Sequence, residues 1–250
     1  MNVRYPGERR VGWLTPTLFT IAALAILIGL GVWQLERKAW KEALIARLDA
    51  RIAAPATVGV PPRDQWASLD PQQMEYRRVT VPVEFLHDQE ALVYTAGSAL
   101  RPDVKGAGYW VFTPARLPGG STVIVNRGFV PLDHKDPATR REGQVSGPVD
   151  IVGLLRWPDE RGTFTPNDEP ANNVWYVRDP SVIGPAKKWG NVAPFFIDME
   201  SPLPPGGLPN AARAVLKLSD NHLQYALTWF GLALTLVGVY LAWMIRRFRG

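Results

Sequence analysis

Three histidines in a chain with no cysteine carry most of the chemistry that these 250 residues can offer. The missing thiols remove disulfides, thiolate metal sites, iron–sulfur clusters and a cysteine nucleophile together. His134 stands in Asp133-His134-Lys135-Asp136 and His87 in His87-Asp88-Gln89-Glu90, and both runs read as charged, solvated turns between strands. Neither histidine has a second ligand at metal-binding spacing, so the sequence predicts no metal site made of protein groups alone. No serine sits in a Gly-x-Ser-x-Gly elbow, and Pro118-Gly119-Gly120 lacks the length and the lysine of a phosphate loop. The acid pairs Asp159-Glu160 and Asp168-Glu169 read as solvated loop charge, because adjacent carboxylates rarely converge on one substrate atom. An enzyme is therefore not expected.

His222 differs. In Ser219-Asp220-Asn221-His222-Leu223-Gln224-Tyr225 it follows three residues able to cap a helix, which puts it in the first turn. There the positive end of the helix dipole disfavours imidazolium, and neutral imidazole is the form that ligates iron. His222, Tyr225 and Trp229 share one helical face at i, i+3 and i+7. Such a face can give one axial ligand and an aromatic wall to a flat macrocycle. It equally suits an interfacial aromatic belt, with His222 bonding a lipid or a loop carbonyl. Trp33 and Arg37 lie one turn apart on another segment, followed by Trp40 and Lys41. Those cations fit the carboxylates of a porphyrin or, snorkelling, the phosphates of lipid.

The elements that must hold these residues are two uncharged windows of 25 residues, between Arg10 and Glu36 and between Asp220 and Arg246. As helices each runs about 37 Å, enough to cross a hydrocarbon core of about 30 Å. A cleaved signal peptide competes for the first window at Ala23-Leu24-Ala25, but the apolar run continues to Trp33. The net charge of +5 sits wholly in the two ends, +2 in residues 1–10 and +3 in residues 246–250. A neutral middle argues against nucleic-acid binding. By the positive-inside rule both Arg-rich ends face the cytoplasm. The expected location is a bacterial inner membrane, with the main domain in the periplasm.

The expected organisation is a tail (1–13), a first span (14–34), a juxtamembrane helix (35–54), a β-rich domain (55–220), a second span (221–245) and a tail (246–250). Short β-branched and aromatic runs fill the middle: 76–86, 91–97, 108–116, 121–130, 149–157, 173–178, 195–198 and 214–218, with a short helix near 180–188. Pro82 marks its strand as an edge or bulged one. The fold class is a membrane α+β protein, with two transmembrane helices flanking a mainly antiparallel barrel or sandwich.

Four segments resemble the surfeit-locus-protein-1 family of cytochrome c oxidase assembly factors. They are Gly31-Val32-Trp33-Gln34-Leu35-Glu36-Arg37-Lys38-Ala39-Trp40-Lys41, Gly108-Tyr109-Trp110-Val111-Phe112-Thr113-Pro114, Val125-Asn126-Arg127-Gly128-Phe129-Val130-Pro131 and Asn221-His222-Leu223-Gln224-Tyr225-Ala226-Leu227-Thr228-Trp229. Phe129 stands where the family usually has Trp. The resemblance implies a role in placing haem a in oxidase subunit I, with haem a bound as cargo through His222. Tyr225, Trp229 and Trp33 would line the site, and Arg37 or Lys41 would meet the propionates. Implied partners are subunit I, the haem a synthesis enzymes and the lipid bilayer. The alternative is a scaffold that holds an oxidase intermediate without touching haem. Asn126-Arg127-Gly128 is expected to be a strand-end turn needing glycine, or else a partner-binding loop.

Overall fold

The computed structural model describes residues 12–98, 101, 103–211 and 220–249. The expected strand at 214–218 and the terminal residues Arg4, Arg9 and Arg10 lie outside them. The chain divides into two compact units, one of Met1–Ile45 with Ser219–Gly250 and one of Ala46–Leu218.

In the first unit, helix α1 (Leu14–Ala53) begins at the expected span and runs without a break through the expected juxtamembrane helix, its last eight residues belonging to the second unit. The last helix of the chain, His222–Arg249, carries Arg246, Arg247 and Arg249 in its final turn, so those cations are helical rather than a tail. Both helices are long and apolar enough to cross a membrane. Their outward side chains, such as Leu18, Phe19 and Leu234, are at least 70% exposed. In water each would forgo about 1.5–3 kcal/mol of burial, which a bilayer supplies.

Between residues 17 and 34 the shielded positions of α1 repeat every seven residues: 17, 20, 23, 24, 27, 30, 31 and 34. The last helix shows the same seven-residue rhythm at 222, 226, 229, 230, 233, 236, 237 and 240. That is the signature of two helices packed along a narrow seam. Small residues let the backbones approach. Ala226 and Ala233 are buried, and a Cβ added at Gly31 would stand 2.5 Å from the Phe230 ring. A hydroxyl pair closes one end of the seam, with Thr17 Oγ1 2.6 Å from the Tyr240 hydroxyl. The helices are therefore antiparallel.

The second unit is a β domain. Its elements are β1 (Thr57–Val58), α2 (Pro71–Met74), β2 (Arg78–Phe85), β3 (Ala91–Thr95), β4 (Gly108–Arg116), β5 (Thr122–Pro131), β6 (Pro148–Arg156), β7 (Val174–Trp175), α3 (Pro180–Lys187) and β8 (Val192–Ser201). The final helix is α4 (His222–Arg249). Strands β2, β4, β5, β8 and β6 pair in that order, and β6 pairs back onto β2, which closes a five-stranded barrel. Only β5–β8 is parallel within the ring. Strand order and single parallel pair are those of an OB-type barrel. Pro82 faces Asp150 of β6 and falls where the other edge of β2 is between partners, after β1 at Thr80 and before β4 at Glu84, which spares the ladder its missing N–H.

Alternation along the strands builds two cores. Val79, Val81, Val83, Val123, Val125, Phe195 and Ile197 fill the barrel. Ile124, Phe112, Phe196 and Val93, on the opposite face, pack with Trp175 and with Ile183 of α3. Polar and ionic links tie strands together: Arg78 donates to Glu200 at 2.7 Å, and Asp198 accepts from the Asn126 amide at 2.7 Å and from Arg156 at 3.0 Å.

Candidate functional site

Helix α4 starts at His222, as expected. Asp220 Oδ1 accepts the His222 backbone N–H at 2.9 Å, and the Asn221 carbonyl accepts the Tyr225 N–H at 3.1 Å. The capping residue thus fixes where the imidazole leaves the helix. Across the seam, Gln34 of α1 brings its side-chain Oε1 to 2.7 Å from His222 Nδ1. A carbonyl oxygen only accepts, so Nδ1 carries the proton. In the neutral ring Nε2 is then left with its lone pair.

Around this pair the expected residues take different stations. Trp229 is half-buried on the seam face of α4, two turns from His222, whereas Tyr225 is exposed. Trp33 precedes Gln34 and is about half exposed. Arg37 lies one turn further along α1 with its guanidinium 4.0 Å over the Trp40 ring, and Lys41 is half-buried a turn beyond that. Of these contacts, sequence reading missed Gln34.

In the β domain, His87 corrects its expectation. It lies in a one-turn segment between β2 and β3, yet Nε2 is 2.9 Å from the Val145 carbonyl and Nδ1 is 3.1 Å from Arg127 Nη1. Burial, with the Arg127 charge adding to it, holds the ring below the usual histidine pKa, against the Val145 bond that raises it. His134 stays exposed, 3.0 Å from Asp133. The acid pairs are bound to arginine: Asp159 accepts from Arg178 at 2.7 Å, and Asp168 pairs with Arg161.

Asn126-Arg127-Gly128 is neither a strand-end turn nor an exposed loop. It lies inside β5 at a bulge, where Trp110 pairs with Phe129 and Phe112 with Asn126, so two residues face Val111 alone. Asn126 bonds Asp198, while Arg127, only 2% exposed, donates to the Gly143 carbonyl. Desolvation brings the Arg127 pKa down to about 10, and its Nε has no partner among the described residues. Gly128 adopts φ +126°, and a Cβ there would lie 2.3 Å from the Asn210 carbonyl oxygen. Glycine is thus needed, but for close backbone approach.

A cleft of about 930 Å³ opens beside His87, with Glu90, Asp136, Lys135, Lys187 and Asn173 in its wall. Among the described residues no three His, Asp or Glu side chains converge as metal ligands.

The SURF1 family model matches residues 21–234, which takes in most of α1, the whole barrel and the first half of α4. The chain belongs to the SURF1 family. Surfeit locus protein 1 of Rattus norvegicus is 34% identical over 244 residues, covering 93% of this chain and 76% of the relative. The SURF1-like protein of Monosiga brevicollis is 36% identical over 256 residues, 98% of this chain and 91% of its own. Surfeit locus protein 1 of Homo sapiens is 34% identical over 219 residues, 82% and 69% respectively. SURF1 proteins are cytochrome c oxidase assembly factors. In this SURF1 chain the four segments that carried the resemblance occupy the middle of α1, β4, the β5 bulge and the first turns of α4.

Proposed function

We propose that this chain is a membrane-anchored assembly factor for cytochrome c oxidase that binds haem a as cargo and aids its insertion into subunit I. The observation that carries the reading is His222: held at a helix start by Asp220 and with Nδ1 engaged by Gln34, it offers Nε2 as one axial ligand. A flat aromatic-lined site suits Trp229 and Tyr225 on α4 and Trp33 on α1. Arg37 and Lys41 are one and two turns out along α1, where they would meet propionates. Haem a, when bound, would supply an iron for the imidazole lone pair, with His222 holding it and Gln34 orienting the ring. The Arg-rich ends of the spans face the cytoplasm and the barrel faces the periplasm of a bacterial cell, in reach of subunit I and of the haem a synthesis enzymes.

The test is the pigment of full-length protein purified from cells that make haem a. A Soret band that is lost or shifted in His222→Ala supports the reading, and an unchanged band in that variant sinks the ligand assignment. The cleft beside His87 lends a second reading some footing, a scaffold that grips a folding subunit without haem. That reading expects subunit I to copurify from cells unable to make haem a, and loss of the complex there counts against it.

A further inference from the structure

We propose that Gln34 is the positioning residue for the iron ligand, and that its neutrality is what keeps the cargo releasable. The inference rests on the haem reading of His222 and adds a second residue, on the other helix. A hydrogen bond of 2.7 Å from Nδ1 to Gln34 Oε1 fixes both the tautomer and the rotation of the ring. The partner on a ligating histidine's second nitrogen also sets ligand strength. A carboxylate there pulls on the Nδ1 proton, pushes electron density to Nε2 and tightens the bond to ferric iron. An amide oxygen carries no charge and pulls less. The result is an oriented but weaker ligand, suited to handing iron on.

A purely structural tie is the competing explanation, since side-chain hydrogen bonds join membrane helices. The hairpin already has such a tie at Thr17 and Tyr240, made by two hydroxyls. The Gln34–His222 bond differs in leaving a ring nitrogen with a free lone pair. That difference gives the two explanations separate outcomes.

Full-length protein in lipid nanodiscs, as wild type, Gln34→Leu, Gln34→Glu and His222→Ala, is titrated with haem a at pH 8.5. Affinity, Soret position and midpoint potential are recorded. Gln34→Leu should weaken binding by about 10–100-fold. Gln34→Glu should bind more tightly than wild type, release haem a more slowly to an acceptor, and shift the midpoint potential downward. Glue alone predicts a wild-type potential in Gln34→Glu, because the hydrogen bond is retained. Wild-type potential and affinity in Gln34→Glu therefore overturn the proposal, even where Gln34→Leu fails to fold. If His222→Ala alone loses haem a and both Gln34 variants match wild type, the proposal fails and the haem reading stands. Wild-type binding by His222→Ala removes the reading itself.

Discussion

Replacing Arg127 by methionine should leave the β domain as stable as before or make it more stable, although Arg127 is buried and hydrogen-bonded. Burial pulls the guanidinium pKa down to about 10, and at 1.36 kcal/mol per pH unit the charged form costs the fold roughly 3 kcal/mol. Against this stands the charge-assisted bond to the Gly143 carbonyl, worth about 1.5–3 kcal/mol. Methionine keeps apolar atoms near the Phe85 ring, over which the guanidinium lies at 5.1 Å. The expected balance is a gain of about 0–2 kcal/mol, or up to several degrees in Tm. Arg140→Met is the control. It strands Glu90, whose carboxylate Arg140 grips with both Nη atoms, and should cost about 3–5 kcal/mol. Urea unfolding of the detergent-solubilised chain, followed by tryptophan fluorescence, measures both. A loss of 3 kcal/mol or more in Arg127→Met would refute the reasoning and make the cation a net anchor.

Two further outcomes test the domain. Gly128→Ala must hold φ near +126° and push into the Asn210 carbonyl, which accepts from Phe129 N at 3.1 Å; a loss of about 3 kcal/mol or more is expected, and one below about 1 would contradict it. His87 has a folded pKa below its unfolded value of about 6.5, so the unfolded chain takes up the proton first as pH falls. Stability should therefore drop from about pH 6.5 down to the folded pKa and level off below it. Urea midpoints across pH 5–8 should lose that step in His87→Gln.

Much of the fold was legible because its signals are local. Residues 108–116 were placed to the residue, and the prolines and alternation around 122–131 and 180–187 left errors of one position. β7 starts one residue after the expected 173 because Asn173 turns left-handed at φ 54°, and it ends at Trp175 rather than 178. β8 came out longer than 195–198 because pairing on both edges extends it, which no local pattern announces. The parallel partnership of β5 with β8 was not legible at all, since its two halves lie about 70 residues apart. At the site, His222 was readable from its capping residues. Gln34 was not, because an amide at the end of an apolar run acquires meaning only once an antiparallel helix sets an imidazole against it. His87 misled for the same reason, as its partners Arg127 and Val145 are 40 and 58 residues away.

Strand β8 is the last of the barrel to be made, and it fills the slot between β5 and β6. Until Ser201 has been synthesised, the nascent sheet has two open edges and no way to close. Unpaired edges invite pairing with other chains, and contacts this distant in sequence form late. The exposed interval ends only about 20 residues before α4, so barrel closure and insertion of the second span become nearly simultaneous events. Truncations ending before residue 192 should therefore leave an anchored but open sheet, the form that quality-control proteases and holding chaperones engage, rather than a smaller working domain.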